Sequence, residues 1–158
     1  MKPYQVSPVR INGDMDRWLR PNLVPADPAP RLAALRRATA EQALRSPKTP
    51  GTRVAGYACL RPGEKPEHAV AEFELHARLR ELRLYDVYLD TAMPTAPGRA
   101  LSAWEQAAGA VIEARADGIF TRSTADVSTD PGEYERVLRE LADRSSFLAH
   151  IYAQWVRL

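Results

Sequence analysis

The sequence predicts an α/β domain with a mostly parallel sheet and helices on both faces, preceded by a proline-rich N-terminal arm. From residue 52 onwards, short apolar segments alternate with longer segments of helical spacing, and this alternation is typical of a parallel sheet. The 158 residues suffice for one domain with a sizeable core plus an appendage. We therefore divide the chain into an arm, residues 1–50, and an α/β domain, residues 51–158.

The arm is set apart by its prolines. Six of the 13 prolines fall within residues 1–30, where they exclude a continuous helix and a central strand. Trp18 is an aromatic anchor in this segment, and two interpretations stay open: it covers its own domain, or it docks on a partner protein. The spacing of Leu32 and Leu35 predicts a helix over 31–45, and the Ser-Pro-Lys-Thr-Pro-Gly run that follows forms a linker.

The elements of the domain follow in order. Four apolar segments predict strands at 54–60, 86–90, 118–122 and 147–152. Segments of helical periodicity predict helices at 66–84, at 101–115 and after Asp130, where an Asp-Pro pair supplies an N-cap and a first-turn proline. A helix thus separates each strand from the next, as parallel pairing requires.

The helix predicted at 66–84 carries two apolar stripes instead of one. Its first stripe contains Val70, Phe73, Ala77 and Leu84, and the nearly opposite stripe contains Ala71, Leu75, Leu79 and Leu82. A helix that lies on a sheet needs one stripe, so two stripes predict burial on both sides. The second partner is either the helix at 31–45 or another protomer. Trp18, Leu75, Leu79 and Leu82 are therefore the candidate partner-binding residues.

Charge and composition narrow the function classes. The net charge of +2 divides into +5 for residues 1–50 and −3 for residues 51–158, so the domain itself is a poor match for a broad duplex-DNA footprint. The arm could contact nucleic acid or an acidic partner. No apolar run reaches the roughly 18–20 residues of a membrane span. The first residues lack the apolar region of a signal peptide, so we do not expect secretion by that route. The single cysteine, Cys59, excludes an internal disulfide. We expect a cytoplasmic protein, and the Ala and Arg richness suggests a GC-rich bacterial genome.

Four short motifs follow one another along residues 53–152. They are Gly56-Tyr57-Ala58 in the first strand, Asp90 at the end of the second, Arg99 before the second helix, and Ala-Asp-Gly at 116–118 before the third strand. In this order they resemble the catalytic domain of serine recombinases, the resolvase/invertase family. The resemblance implies a flavodoxin-like, resolvase-like α/β fold.

The resemblance also implies that the chemistry is lost. In the family, a serine attacks the phosphodiester and arginines neutralise the charge that develops on phosphorus. Here Arg61 stands at the position of the serine and Cys59 at that of one arginine, while Asp126 and Thr129 replace two more. No serine occurs between residues 47 and 101, so a one-residue shift of the alignment does not restore it. We expect a catalytically inactive domain with no catalytic residue, no metal and no cofactor.

The expected function is therefore protein–protein interaction or regulation, through a protein partner or self-association. In an alternative interpretation, the domain binds nucleic acid or a phosphate ligand at the carboxyl edge of the sheet. The candidate ligand-binding residues there are Arg61, Asp90, Arg99 and Arg122. The same four residues could also be a solvated ion-pair cluster. A third interpretation is a metal-dependent hydrolase that uses Asp90.

Overall fold

The computed structural model describes residues 27–45, 51–91 and 102–152. Two of the predicted binding residues, Trp18 and Arg99, lie outside these ranges. The elements in the described ranges are α1 (Pro28–Leu44), β1 (Arg53–Cys59), α2 (Pro66–Leu79), β2 (Arg83–Asp90), α3 (Ser102–Ile112), β3 (Gly118–Thr121), α4 (Thr124–Val127), α5 (Pro131–Asp143) and β4 (Phe147–His150).

The four strands form one parallel sheet in the order β2-β1-β3-β4. Tyr57 of β1 pairs with Tyr88 of β2 and with Thr121 of β3, and Thr121 in turn pairs with His150 of β4. Because all strands run the same way, the residues that follow them gather at one edge of the sheet. The predicted parallel α/β sheet is confirmed.

Helices cover both faces of this sheet. Helices α3 and α5 cover one face, above a core that includes Tyr57, Ile119 and Leu148. Helix α2 covers the other face, where the ring of Phe73 packs edge to face on Phe120 with centroids 5.8 Å apart. Burial of each such large side chain contributes about 1.5–3 kcal/mol to stability.

Helix α1 packs along β4 and α5 and covers the sheet edge that β4 would otherwise leave open. Leu32, near its start, is buried in the core under α3 and α5, whereas Ala43, near its end, is buried in the core on the α2 side. A bidentate ion pair joins Arg31 to Glu135 of α5, with N–O distances of 2.9 and 3.0 Å. The helix predicted at 31–45 is thus confirmed as a helix that packs against the sheet.

Of the two alternatives for the second stripe of α2, the one in which this helix covers it is wrong. Since α1 lies against β4 and α5, it leaves Leu75 and Leu79 of α2 exposed, at 49% and 68% of their full surface. Leu82 is different, because it is half-buried and packs against the core beneath α2. Two of the three leucines therefore face solvent in the described structure.

Helix α2 ends earlier than the sequence predicts, at Leu79 instead of residue 84. Glu81 adopts a left-handed conformation with φ of 57°, and the N–H of Leu82 returns to the carbonyl of Ala77, which closes the helix and leads into β2. Glycine usually occupies that position, so a glutamate there gives no stop signal in the sequence. The predicted helix at 101–115 likewise ends at Ile112, before Ala114 with φ of 57°.

Candidate functional site

An open polar cleft of about 620 Å³ lies at the carboxyl edge of the sheet. Its walls come from the loop after β1, from α2, from the β3–α4 connection and from the segment after β4. The polar side chains that line it are Arg61, Glu64, Glu72, Arg122, Ser123, Asp126 and Tyr152. This is the edge at which ligands bind in open α/β sheets, so the cleft is the candidate functional site.

Arg122 is the buried cation of the cleft, with 7% of its surface exposed. Its guanidinium donates to the carbonyl oxygen of Cys59 at 2.7 Å, to Oδ2 of Asp126 at 3.3 Å, and to Oε1 of Glu64. Burial by itself lowers the pKa of Arg122, but the two carboxylates outweigh this effect and raise it. The charged side chain therefore links β1, β3 and α4 through its hydrogen bonds.

Asp126, in the first turn of α4, accepts hydrogen bonds from both sides of this link. One carboxylate oxygen accepts from the Arg122 guanidinium, and the other accepts from the backbone N–H of Cys59 at 3.3 Å. Glu64 is also held: its pKa is lowered because, although burial raises it, hydrogen bonds from the Arg61 N–H and from Arg122 outweigh that burial. The cleft carries two arginines against three carboxylates, those of Glu64, Glu72 and Asp126.

Arg61 lies at the mouth of the cleft and is exposed. Its backbone N–H donates to Glu64 at 2.9 Å, while its guanidinium forms no ion pair in the described ranges. Two hydroxyls of the same cleft, those of Ser123 and Tyr152, are marked by no pattern in the sequence. Ser123 directly follows Arg122 and has no hydrogen-bonded base among the described residues, and Tyr152 donates its hydroxyl to Glu72.

Asp90, the fourth predicted ligand residue, does not line the cleft. Its carboxylate caps the start of α3, where it accepts from the N–H groups of Ala103 at 3.2 Å and Trp104 at 3.4 Å. It also accepts from the hydroxyl of Tyr57 at 3.0 Å. Burial raises the pKa of Tyr57, and hydrogen bonds to Cys59 and Asp90 raise it further, so the phenol stays neutral. Asp90 thus joins β2 to β1 and α3.

The sheet architecture resembles that of two solved catalytic domains. The N-terminal catalytic domain of TP901-1 integrase superposes with a TM-score of 0.52 at 10% identity, over 63% of this chain and 77% of that one. The C-terminal catalytic domain of ISC1926 TnpA, an IS607-like serine recombinase, superposes with a TM-score of 0.50 at 13% identity, over 64% and 70% of the two chains. The chain has the fold of a serine-recombinase catalytic domain. No protein-family model and no curated protein matches its sequence.

Within this serine-recombinase-like fold, the structure joins some predicted site residues and separates others. Arg61 and Arg122 line one cleft, Asp90 is turned to the α3 side, and Arg99 lies outside the described residues. Cys59, which the resemblance aligns with a family arginine, is a buried thiol whose pKa is raised by burial. The described residues contain no group of three or more potential metal ligands. Among them there is also no helix long and apolar enough to cross a membrane.

A second polar group is buried between β3, β4 and α5. His150 of β4 lies between Thr121 of β3, on its Nδ1, and the hydroxyl of Tyr134 of α5, 2.8 Å from its Nε2. Burial, together with the positive charges of Arg36 and Arg80, lowers the pKa of His150 to about 3. The imidazole is therefore neutral and sealed in the core, so it is a structural link between β3, β4 and α5.

Proposed function

We propose that this chain is a resolvase-like domain that does not cleave DNA and that acts through protein contacts. The observation that carries the proposal is the closed ion-pair cluster of Arg122, Asp126 and Glu64. Strand cleavage of the recombinase type needs a nucleophilic hydroxyl beside arginines that are free to neutralise a phosphorane-like charge. Here the buried arginine of the cleft is already neutralised from within the chain.

The charge balance of the cleft supports the same conclusion. Among the residues that the structure describes, a phosphodiester that entered would meet three carboxylates and one unpaired guanidinium, that of Arg61. Recruiting Arg122 would leave Asp126, which is 8% exposed, without its partner. Breaking a buried pair in this way costs about 3–5 kcal/mol. A phosphate group would have to supply that energy before any chemistry began.

The test is an assay for a covalent protein–DNA adduct. The full chain is incubated with supercoiled plasmid and with single-stranded DNA, quenched in denaturant and separated on a denaturing gel, with TP901-1 integrase as the active comparator. We expect no adduct from this chain. An adduct that disappears in Ser123→Ala, but persists in the control variant Ser145→Ala, would identify Ser123 as a relocated nucleophile and refute the proposal.

A second candidate function is supported by one observation, the exposed Arg61 guanidinium at the mouth of the cleft. It could bind the phosphate of a nucleic acid or of a small ligand. A gel shift at low salt that is lost in Arg61→Ala, but kept in the control Arg45→Ala just after α1, would support this function. The absence of a shift at low salt would exclude it for the oligonucleotides used.

A further inference from the structure

Helix α2 presents an apolar stripe directly away from the sheet. Phe73 and Ala77 face the sheet and are buried, whereas Leu75 and Leu79 point to the other side of the helix and are 49% and 68% exposed. The two leucines are four residues apart, so they lie one above the other, about 6 Å apart along the helix axis. No described element packs on them, because α1 lies against β4 and α5.

Opposite charges flank this stripe on one side. Glu74 and Arg78 are exposed, lie one turn apart on α2, and make no ion pair with each other or with another residue in the described ranges. The other flank of the stripe carries Glu72, whose carboxylate accepts a hydrogen bond from Tyr152. Glu67 lies on the same side as Glu74, and His68 and His76 lie on the same side as Glu72. The two flanks therefore differ, because only the first combines carboxylates with an arginine.

We propose that this surface, the α2 face (Ala71, Glu74, Leu75, Arg78 and Leu79), binds the α2 face of a second copy of the chain with the two helices antiparallel. The inference names a partner for the protein contacts of the proposed function and rests on it. A twofold interface brings the same patch together from both copies, so the patch must complement itself. The α2 face complements itself when the two helices are antiparallel, but not when they are parallel.

In the antiparallel arrangement, the flank that carries both charges meets its own reversed copy. Glu74 then faces Arg78 of the partner subunit, and the symmetry repeats this ion pair, so two pairs enclose four interleaved leucines. In a parallel arrangement, the twofold axis would instead bring the flank of Glu74 against the flank that carries Glu72. The nearest charges across that contact would be the carboxylates of Glu72 and Glu74, which are two residues apart along the axis, whereas Arg78 is six residues from Glu72. Like charges therefore disfavour parallel pairing.

The size of the contact limits its strength. Helix α2 has 14 residues and is therefore about 21 Å long. One pair of such helices buries less than the roughly 1,200 Å² at the lower limit of stable complexes, so we expect weak, reversible dimers. The experiment must therefore reach high protein concentrations.

The test is a charge reversal followed by sedimentation equilibrium of the full chain over a concentration series. We expect Glu74→Arg and Arg78→Glu each to weaken dimerisation about tenfold, because each turns two attractive pairs into two repulsive ones. The double variant restores the pairs in reversed polarity and should return to within about threefold of the natural chain. The control Glu140→Arg makes the same charge change on α5, on the other side of the sheet, and should leave the dissociation constant unchanged.

A monomer at every concentration would refute the dimer, as would single variants that dimerise normally or a double variant that fails to recover. Far-ultraviolet circular dichroism of each variant shows whether α2 has stayed folded, and Leu79→Ala provides a second perturbation without a charge change. The adduct assay measures the proposed function separately. A monomer that forms no adduct refutes only the dimer, whereas an adduct refutes the absence of cleavage whatever the oligomeric state.

Discussion

Folding stability should fall between pH 7 and pH 5 because of a single buried imidazole. His150 is 2% exposed and is held between Thr121 and Tyr134, and two arginines, Arg36 and Arg80, add positive charge nearby. Burial comes first among the causes that lower its pKa to about 3 in the folded chain, against an ordinary value of 6.5. Protonation therefore favours the unfolded chain, in which the imidazole is free in water.

Proton linkage gives both the direction and the magnitude of this loss of folding stability. Below pH 6.5 the unfolded chain binds a proton at His150 that the folded chain does not bind, so stability is fully present above pH 6.5 and is lost as the pH falls towards 3. The limiting slope is about 1.4 kcal/mol per pH unit. Integrated from pH 7 to pH 5, the loss is about 2 kcal/mol, because the imidazole of the unfolded chain changes from mostly neutral to mostly charged over this interval.

Urea denaturation of the full chain at pH 7, 6 and 5 measures this loss, with His150→Gln as the non-titrating comparison. The glutamine amide keeps a donor and an acceptor near Thr121 and Tyr134, so the variant loses absolute stability but also loses the pH slope. Subtracting its curve removes the other titrating groups. If the natural chain and the variant lose the same free energy between pH 7 and pH 5, the assignment of the slope to His150 is wrong.

Two further contrasts test the packing. Gly118→Ala should destabilise the fold by about 1–3 kcal/mol, because a Cβ there would lie 2.7 Å from the ring of Phe147. Gly109→Ala on α3 should stabilise the fold by about 0.5–1 kcal/mol, because a Cβ there meets no atom within 4 Å. Thermal denaturation measures both effects. Asp90→Ala should lower the free energy of unfolding in urea by about 1–3 kcal/mol, because α3 loses its cap and Tyr57 loses its acceptor. Asp90→Asn keeps an acceptor oxygen and should recover most of this loss. Equal losses in the two variants would contradict the capping role.

The sequence was sufficient to predict the sheet because its signals are local. Alternation of apolar segments and helical periodicity marks each strand and each helix separately, and the parallel arrangement follows from their order. The end of α2 was missed because Leu82 and Leu84 continue the apolar spacing, while the chain reversal depends on Glu81 in a conformation that glycine usually adopts. The position of α1 was missed because its thin stripe fits several surfaces, and packing on β4 decides among them.

The candidate site was predicted only in part, because the sequence shows where strands end but not where each side chain points. The edge of a parallel sheet can be located from strand ends, and this placed Arg61 and Arg122 in one cleft. The direction in which a side chain points is a tertiary property: Asp90 ends its strand as expected but turns to cap α3. Glu64, Glu72 and Tyr152 reach the cleft from elements distant in sequence, and no local pattern marks them.

The charged side chains of the cleft can be understood as a set. A buried arginine such as Arg122 needs counter-charges, and a substrate phosphate meets that need only while it is bound. An aspartate at position 126 meets it permanently, and the same carboxylate ties α4 to the backbone of Cys59. Once the counter-charge is built into the chain, a free arginine at that point is no longer available to a ligand. A carboxylate that would repel an entering phosphate and the ion pair that stabilises the fold are therefore the same group. An arginine placed at position 126 alone would bring two guanidinium groups together in a buried site.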